Sequence, residues 1–238
     1  MKILGIDVGG SGIKGAVVDT KKGELITDRF RLDTPRSRKP VPMAKVVAKV
    51  ANQFAWQGPI GCGFPTVIHN GVAKLHGNLN EKWVNTNIEA LFAEYTGNLV
   101  TVINDADAAG LAEMNFGAGR GQDGVVIIIT IGTGLGTAVF TSGHLVPSTE
   151  FGHIEMNCFD AEEQASDAIR KKENLSWKEW AERFDQYLNP LVAACLRLKD
   201  FSWITSAIVP SASTQHTGHY SKFGRYSTKW MLINRECD

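Results

Sequence analysis

Two glycine-rich segments are the first parts of this sequence whose residue types could perform chemistry. Residues 7–14 read DVGGSGIK and residues 130–137 read TIGTGLGT. Glycines let the backbone approach a ligand and turn its N–H groups inward, which suits phosphate oxygens. In the first segment Ser11 adds a hydroxyl donor, Lys14 a cation, and Asp7 a carboxylate that could hold a metal ion. The first segment lacks GKS or GKT and precedes β-branched residues, which argues against a P-loop and a dinucleotide-binding motif.

A first acidic cluster, Asn-Asp-Ala-Asp, occupies residues 104–107 directly after the apolar run 99–103. Sites in α/β proteins commonly lie at the carboxyl ends of strands. Asp105 in such a position could accept a proton from an alcohol, and Asn104 could orient that alcohol. The alternative is that Asp105 or Asp107 caps the following helix.

A second acidic cluster, EFGHIE at 150–155, combines two carboxylates with a histidine, a set that commonly binds sugar hydroxyls. A zinc site needs further ligands at suitable spacing, and only Cys158 lies near. Residues 61–71, which include Gly63 and Pro65, combine a strand end with a flexible turn and could wall a small-ligand pocket.

The glycine segments each lie between two predicted strands, 2–8 with 15–20 and 125–131 with 137–140. This repeated strand–loop–strand arrangement indicates two related lobes facing a cleft, although two unrelated hairpins would give the same pattern. A third strand is expected around 25–33. Further strands are expected over 59–64 and 99–103, and helices over 43–55, 88–95, 106–116, 161–172 and 176–188. The prolines at 35, 40 and 42 predict a loop.

The last predicted helix carries its own boundary signals. Ser176 followed by Glu179 is a capping box, and an apolar stripe that begins at Trp177 predicts a core-facing helix. Asn189-Pro190 predicts a stop or a kink.

Composition narrows the class of protein. The 238 residues include 25 basic and 25 acidic ones, so the net charge of zero argues against a general nucleic-acid footprint. No apolar run approaches the roughly 18 residues of a membrane span, and no signal peptide is recognised. The four cysteines form no CxxC pair, which favours a reducing, cytoplasmic location.

Taken together, the motifs resemble the ROK family of sugar kinases within the actin/hexokinase-like superfamily. The matching segments are DVGGSGIK at 7–14, GCGFP at 61–65, NDADAA at 104–109, TIGTGLGT at 130–137 and EFGH at 150–153. The resemblance covers about residues 1–190. It implies an α/β, ribonuclease H-like fold of two lobes with a cleft between them. The expected divisions are an N-terminal lobe at 1–106, an incomplete C-terminal lobe at 107–190 and an atypical tail at 191–238.

The resemblance also implies an activity. The segments 104–114, 150–156 and 175–188 are most similar to family members that phosphorylate glucose with inorganic polyphosphate, so we expect a phosphotransferase. Expected substrates are glucose or mannose, with polyphosphate or ATP as donor, Mg²⁺ as cofactor and a homodimer as assembly. Alternatives are an ATP-dependent glucokinase or mannokinase, and a sugar-binding protein of this fold with impaired catalysis.

The resemblance assigns roles by position, with Asp105 as general base for the 6-hydroxyl of the sugar. Expected sugar-binding residues are Asn104, Glu150, His153, Glu155, Gly63 and Pro65. Expected phosphate-binding residues are Asp7, Gly9, Gly10, Ser11, Gly12, Lys14, Thr130, Gly132, Thr133 and Gly134. Asp7 is also the expected Mg²⁺ ligand. Many family members have a cysteine-rich zinc site, whereas residues 154–175 contain only Cys158, so no zinc site is expected.

A polyphosphate donor would need a longer cationic track than ATP. The segment 29–39, RFRLDTPRSRK, has five basic residues against one aspartate. The further candidates are Lys14, Lys82, Arg120, Lys171 and Lys172. The alternative for each residue is a solvated charged edge.

Beyond residue 190 the family pattern is lost. Residues 191–238 contain no glycine triplet and show no clear alternation of strand and helix. This predicts a divergent or frame-shifted end that lacks the donor-side wall and the helix that returns to the first lobe.

Overall fold

The computed structural model describes residues 1–195, 201–208 and 219–225. Its strands are β1 (Lys2–Val8), β2 (Gly12–Asp19), β3 (Glu24–Leu25), β4 (Phe30–Asp33), β5 (Ile60–Phe64), β6 (Ile68–His69), β7 (Val72–Ala73), β8 (Val100–Asn104), β9 (Val125–Ile131), β10 (Leu135–Thr141), β11 (His144–Val146), β12 (Glu155–Met156), β13 (Phe159–Asp160), β14 (Phe201–Ile208) and β15 (His219–Arg225). Its α-helices are α1 (Pro40–Gln53), α2 (Ile88–Thr96), α3 (Asp105–Phe116), α4 (Glu162–Ala165), α5 (Asp167–Lys172) and α6 (Trp177–Cys195), and 3₁₀ turns cover Glu81–Trp83 and Phe151–His153.

The first sheet has the order β3-β2-β1-β5-β8, with β4 also paired to β2. The predicted hairpin is confirmed, because β1 and β2 are antiparallel, whereas β1–β5 and β5–β8 are parallel. One face of this sheet packs on α1 and α2 through buried aliphatic and aromatic side chains, of which Trp83, Phe64 and Phe92 are the largest. The carboxyl ends of β1, β5 and β8 therefore meet at one edge.

The second sheet has the order β11-β10-β9-β14-β15. Its centre is β9, whose run of isoleucines is buried on both faces, as expected for a central strand. The core on one face includes Phe184, Tyr187 and Leu188 of α6. On the other face Phe140 and Ala138 contact Gly110 of α3, where a Cβ would lie 2.5 Å from that of Ala138.

Helix α3 contacts strands of both sheets. Its first residue follows β8 of the first sheet, and its middle packs on β10 of the second. The N-terminus of α3 is therefore the point where both sheets can contribute side chains, and the division of the chain near residue 106 stays a prediction.

Several expected boundaries are wrong in detail. The strand expected around 25–33 is two short strands, β3 and β4, which pair with different parts of β2. Pro40 and Pro42 lie in the first turn of α1 rather than in a loop, because first-turn N–H groups need no intrahelical partner. The helix expected over 161–172 is divided at Ser166, whose hydroxyl caps α5.

The boundary signals of α6 have mixed outcomes. The capping box is confirmed, since the Ser176 N–H donates to the Glu179 carboxylate at 2.9 Å and the Glu179 N–H donates to the Ser176 hydroxyl at 3.3 Å. The helix continues through Pro190 to Cys195, so it does not stop at Asn189-Pro190, and the alternative of a kink there stays a prediction. Trp177 is half exposed and packs edge-on against Trp180 rather than in the core.

The expected loss of strand–helix alternation after residue 190 is also wrong for part of the tail. Strand β14 follows α6 and pairs in parallel with β9, from Phe201 opposite Val125 to Ala207 opposite Ile131. Strand β15 then pairs antiparallel with β14. The β-branched and aromatic residues of 201–208 suit a strand, but their polar spacing hides the pattern. The rest of the predicted divergent end, 196–200, 209–218 and 226–238, lies outside the described residues.

Within the residues that the structure describes, no helix is both long and apolar enough to cross a membrane.

Candidate functional site

The candidate base, Asp105, is the first residue of α3 and directly follows β8. Its backbone lies against Gly63 of β5, where a Cβ would lie 3.6 Å from the Asp105 Cα. Gly63 in turn pairs with Asp7 of β1. The parallel strands thus bring Asp7, Gly63 and Asp105 to one edge of the first sheet.

The surroundings of Asp105 make its carboxyl more basic than an ordinary aspartate. Its side chain is open to solvent on one side. The protein on the other side desolvates the carboxyl and raises its pKa, and the negative charge of Asp7 raises this pKa further. The Ala106 N–H donates to Oδ1 at 2.9 Å and opposes this shift. A raised pKa suits a group that must take up a proton.

Asn104, rather than Asp105 or Asp107, caps α3. Its Oδ1 accepts hydrogen bonds from the N–H groups of Ala106 at 2.8 Å and Asp107 at 3.1 Å. Its Nδ2 donates to the Thr66 carbonyl at 3.2 Å and to Glu150 Oε1 at 3.1 Å. The buried Asn104 side chain therefore fixes the helix start, the segment after Pro65, and the carboxylate of Glu150.

Glu150 precedes the 3₁₀ turn Phe151–His153 on the second-sheet side of the site. Burial raises its pKa to about 6, and the carboxylates of Asp105, Asp107 and Glu162 act in the same direction. His153 lowers it. Glu150 therefore changes charge close to neutral pH.

Asp107 holds the chain segment that delivers Glu150. One oxygen of its buried carboxylate accepts from the Ser148 N–H at 2.9 Å, while the Ser148 hydroxyl donates to the Ile68 carbonyl at 3.1 Å. The other oxygen has no hydrogen-bond partner among the described residues. These contacts link the segment before Glu150 to α3 and to the first half of the chain.

His153 and Glu155 differ in how firmly they are held. The His153 N–H donates to the Glu150 carbonyl at 3.2 Å, and its Nδ1 lies 2.7 Å from Asp160 Oδ2. This hydrogen bond to Asp160 is the main reason why the His153 pKa is raised. Glu155 pairs with Asp160 across the β12–β13 hairpin, and its side chain is exposed.

The first glycine loop, residues 9–12, is supported by Arg31 of β4 and by Thr34, the residue that follows this strand. The Thr34 hydroxyl donates to the Gly9 carbonyl at 2.6 Å, and Arg31 Nη2 donates to the Ser11 carbonyl at 3.0 Å. Gly10 is open, with nothing within 4 Å of the position a Cβ would take. With these carbonyls held toward β4, the N–H groups of Gly10 and Ser11 are available for a ligand.

The second glycine loop lies close to the other side of the α3 N-terminus. A Cβ on Gly136 would overlap the Thr130 hydroxyl and lie 2.8 Å from the Ala106 Cβ. A Cβ on Gly134 would overlap the Glu162 carboxylate, which accepts from the Leu135 N–H at 3.3 Å. The Gly132 carbonyl accepts from the Ala168 N–H of α5. Thr133 occupies the turn between β9 and β10.

Carboxylates dominate the donor set available for a metal ion. Asp7 offers hard carboxylate oxygens, and it lies close enough to Asp105 to raise the pKa of that carboxyl. Mg²⁺ is typically bound through one or two carboxylates together with substrate phosphates, so the Asp7 carboxylate fits it. The described residues contain no group of three or more histidine, cysteine or acidic side chains suited to hold a metal by themselves.

The residues of the expected cationic track have different surroundings in the structure. Lys14 and Arg31 lie at the first glycine loop, whereas Arg38 donates to the Asn78 carbonyl. Lys171 and Arg170 both pair with the buried Asp167, which gives them a structural role. The remaining candidates are exposed: Arg29, Arg36, Lys39, Lys82, Arg120 and Lys172.

Three residues that contact the site were not expected from the sequence. Asp160 pairs with His153, Glu162 with the second loop, and Thr34 with the first. The motif NC at 157–158 could have indicated the tight turn of the β12–β13 hairpin, which returns Asp160 toward His153. Nothing local marks Glu162 or Thr34.

Comparison with known proteins identifies relatives of this chain. The sequence profile of the ROK family matches residues 3–172. A protein named polyphosphate glucokinase from Mycobacterium tuberculosis (strain CDC 1551 / Oshkosh) is 45% identical over 186 residues, which are 78% of this chain and 70% of that protein.

Solved structures give the fold. The inorganic polyphosphate/ATP-glucomannokinase from Arthrobacter sp. strain KM superposes with a TM-score of 0.80 at 40% identity, covering 87% of this chain and 83% of that one. A ROK family glucokinase from Streptomyces griseus, in complex with glucose and AMPPNP, superposes with a TM-score of 0.64 at 24% identity, covering 84% and 72%. The expected α/β, actin/hexokinase-like fold is confirmed. By sequence and by fold, this chain belongs to the ROK family.

Proposed function

We propose that this protein is a polyphosphate glucokinase, which transfers the terminal phosphoryl group of inorganic polyphosphate to the 6-hydroxyl of glucose. The names of the relatives support this proposal, since the protein 45% identical to it is a polyphosphate glucokinase. The Arthrobacter enzyme, named as a polyphosphate/ATP-glucomannokinase, supports ATP as a second donor and mannose as a second acceptor.

The observation that carries the proposal is the position of Asp105. It lies at the start of α3, next to β5 and within electrostatic reach of Asp7, while Ala106 beside it contacts Gly136 of the second glycine loop. A proton acceptor thus stands where both phosphate-binding segments approach the same helix turn. A phosphoryl donor held by those segments would present its terminal phosphorus near this carboxylate.

In this reaction the Asp105 carboxylate accepts the hydroxyl proton as the sugar oxygen attacks the terminal phosphorus. A P–O bond forms to the sugar, and the P–O bond to the bridging oxygen breaks, which leaves a polyphosphate shorter by one unit. Most of the rate enhancement in phosphoryl transfer comes from positioning and from stabilising charge on the transferred oxygens. General base catalysis contributes about 10²–10⁴-fold.

The sugar is held from the second-sheet side. Glu150 precedes the 3₁₀ turn that His153 ends, and Asn104 fixes the Glu150 carboxylate at 3.1 Å. An ionised carboxylate accepts hydrogen bonds from sugar hydroxyls, and an imidazole can donate or accept them. Glu155, exposed on β12, lies close enough in sequence to contribute a further acceptor.

Asp7 is the residue that would hold Mg²⁺, together with donor phosphate oxygens. When bound, the ion would neutralise part of the donor's charge. Lys14, whose Nζ lies 3.3 Å from Asp7 Oδ2 in this structure, would then be free to contact phosphate oxygens.

The test is an assay for glucose 6-phosphate with polyphosphate and with ATP, applied to the wild type, Asp105→Asn and Asp123→Asn. Asp123 is an exposed aspartate in the turn before β9 and serves as the matched control. We expect Asp105→Asn to bind glucose but to lose at least about 100-fold in kcat, and Asp123→Asn to match the wild type.

Two outcomes would contradict the proposal in different ways. Near-normal turnover by Asp105→Asn would remove Asp105 as the base. Glucose binding by the wild type without turnover on either donor would favour the non-catalytic sugar-binding alternative.

A further inference from the structure

A row of charged side chains crosses the first sheet from the proposed reaction centre, at Asp7 and Asp105, to the edge strand β4. Asp7 of β1 pairs with Lys14 of β2, and Lys14 pairs with Arg31 of β4. Directly opposed residues of neighbouring strands project from the same face. Strands are spaced by about 4.8 Å, so the row extends about 10 Å from Asp7 to the edge strand.

The row lies on the face of the sheet that carries the reaction centre. The opposite face, formed by Leu4, Ile6 and Val8 of β1, packs in the core with α1. Asp7 alternates with those residues and therefore projects away from that core, toward Asp105. Lys14 and Arg31 project on that side too, so a donor with its terminal phosphate at Asp105 would extend over them.

The guanidinium of Arg31 is aimed at the first glycine loop. Its Nε would lie 2.5 Å from a Cβ on Gly12, and Nη2 donates to the Ser11 carbonyl. Nη1 donates to Asp33 at 2.7 Å. Two of the five guanidinium N–H donors are thus used, and about half of the side chain is exposed. Donors remain available beside the loop for an anion.

Each cation of the row has an internal counter-ion. Lys14 pairs with Asp7, and Arg31 pairs with Asp33. All four side chains are about half exposed or more, so the pairs are weak and can be exchanged for a phosphate, which accepts from arginine through two parallel hydrogen bonds. Asp33, in contrast to Asp7, is not among the residues assigned to the reaction, and its carboxylate competes with an anion for Arg31.

We propose that Lys14 and Arg31 form a subsite for the non-transferred phosphates of a polyphosphate chain, and that Asp33 is a counter-ion that weakens this subsite. The inference rests on the proposed function and deepens it, because it assigns the path by which the donor leaves the reaction centre. The polyphosphate chain would then leave the reaction centre over the edge strand β4, rather than over the following segment with Arg36, Arg38 and Lys39.

Arg31 also supports the glycine loop through Ser11. This role and the subsite role predict different effects on donors of different length. Loss of loop support would weaken every donor equally, whatever its length. Loss of a phosphate subsite would weaken only those donors that are long enough to reach it. Removal of the Asp33 charge would strengthen a subsite, whereas it would not improve loop support.

The experiment measures KM for ATP and for polyphosphates of short and long average chain length, with Arg31→Gln, Asp33→Asn and the control Lys21→Gln. Lys21 is an exposed lysine at the other end of β2. For long chains we expect KM to rise about five- to tenfold in Arg31→Gln and to fall about two- to threefold in Asp33→Asn. The loss of loop support in Arg31→Gln should change KM for ATP and short polyphosphates by less than twofold, and high salt should reduce the differences seen with long chains.

Equal effects of Arg31→Gln on short and long donors would overturn the subsite, as would an unchanged or higher long-chain KM in Asp33→Asn. Circular dichroism of both variants establishes that they are folded, and the opposite signs expected for them separate a subsite from general damage. A wild type without activity on any polyphosphate would instead reject the proposed function itself.

Discussion

The two glycine loops are alike in sequence and differ in electrostatic setting. The first, at 9–12, lies beside Lys14 and Arg31, and the side chains of Arg31 and Thr34 hold its carbonyls. The second, at 132–134, lies beside the carboxylate of Glu162, with Glu150 on the same side of the site. Similar turns therefore lie beside cations that are paired with Asp7 and Asp33 in one half of the chain, and beside carboxylates in the other.

This difference matches the two substrates of the proposed reaction. A polyanionic donor is favoured by cations and disfavoured by carboxylates, whereas a neutral sugar needs hydrogen-bond acceptors. The first loop therefore suits the long anionic part of the donor. The second loop, with carboxylates beside it, suits the end of the donor that meets the neutral sugar, where few phosphates lie.

The largest expected effect concerns packing around the second loop. Gly136→Ala places a methyl group against the Thr130 hydroxyl and 2.8 Å from the Ala106 Cβ, so we expect a loss of stability of about 1–3 kcal/mol. Gly10→Ala in the open first loop should change the free energy of unfolding by less than about 0.5 kcal/mol. Urea denaturation of both variants measures this, and equal losses would contradict the contrast between the crowded start of β10 and the open first loop.

The next effect concerns pH and the sugar side. The pKa of Glu150 is raised to about 6, so its carboxylate is neutral below that pH and accepts sugar hydroxyls poorly. We expect the glucose KM to rise as pH falls below about 6, by at most tenfold per unit. Glu150→Gln should raise the KM at neutral pH and remove this pH dependence.

The same shift predicts the sign of a stability effect. Because the folded-state pKa exceeds the ordinary value, the contribution of Glu150 to stability is fully present below pH 4.5 and is lost as pH rises through about 6. Glu150→Gln should therefore gain stability relative to the wild type as pH rises from about 4.5 to about 6, with the gain levelling off at higher pH. A constant difference across that range would contradict the burial of this carboxyl.

A smaller effect is expected at Asp160. Asp160→Asn removes the carboxylate that chiefly raises the His153 pKa, while Glu150 and Glu162 still face the imidazole. We expect the His153 titration, followed by NMR, to shift to lower pH, with a two- to threefold higher glucose KM. Glu163→Gln, an exposed carboxylate of α4, is the control. An unmoved titration would show that the Asp160 hydrogen bond does not persist in solution.

The smallest effect tests the acidic setting of the second loop directly. Glu162→Gln keeps an oxygen that can accept from the Leu135 N–H but removes the charge. We expect the polyphosphate KM to fall about twofold and to become less sensitive to salt. Glu163→Gln serves again as control, and a rise in KM specific to Glu162→Gln would reverse the proposed role of this charge.

Much of the fold could be predicted because its signals are local. Strands 2–8 and 125–131 and the hairpins around both glycine loops follow from alternation and turn residues, and the capping box at Ser176 follows from spacing alone. The strand at 201–208 was missed because its identity as a strand depends on pairing with β9, a contact over more than 70 residues.

The amino-acid sequence by itself determined the types of group available: an aspartate after a buried strand, two glycine loops, and an acidic cluster with a histidine. It left open whether Asp105 or Asp107 capped a helix, because an aspartate between a strand and a helix can serve as a cap or as a base. The tertiary structure decided this by giving the cap to Asn104 and leaving the Asp105 carboxyl open to solvent near Asp7. It alone also placed Arg31 beside Ser11 and Glu162 beside Leu135, because strand register and helix packing, rather than sequence distance, set which charges meet.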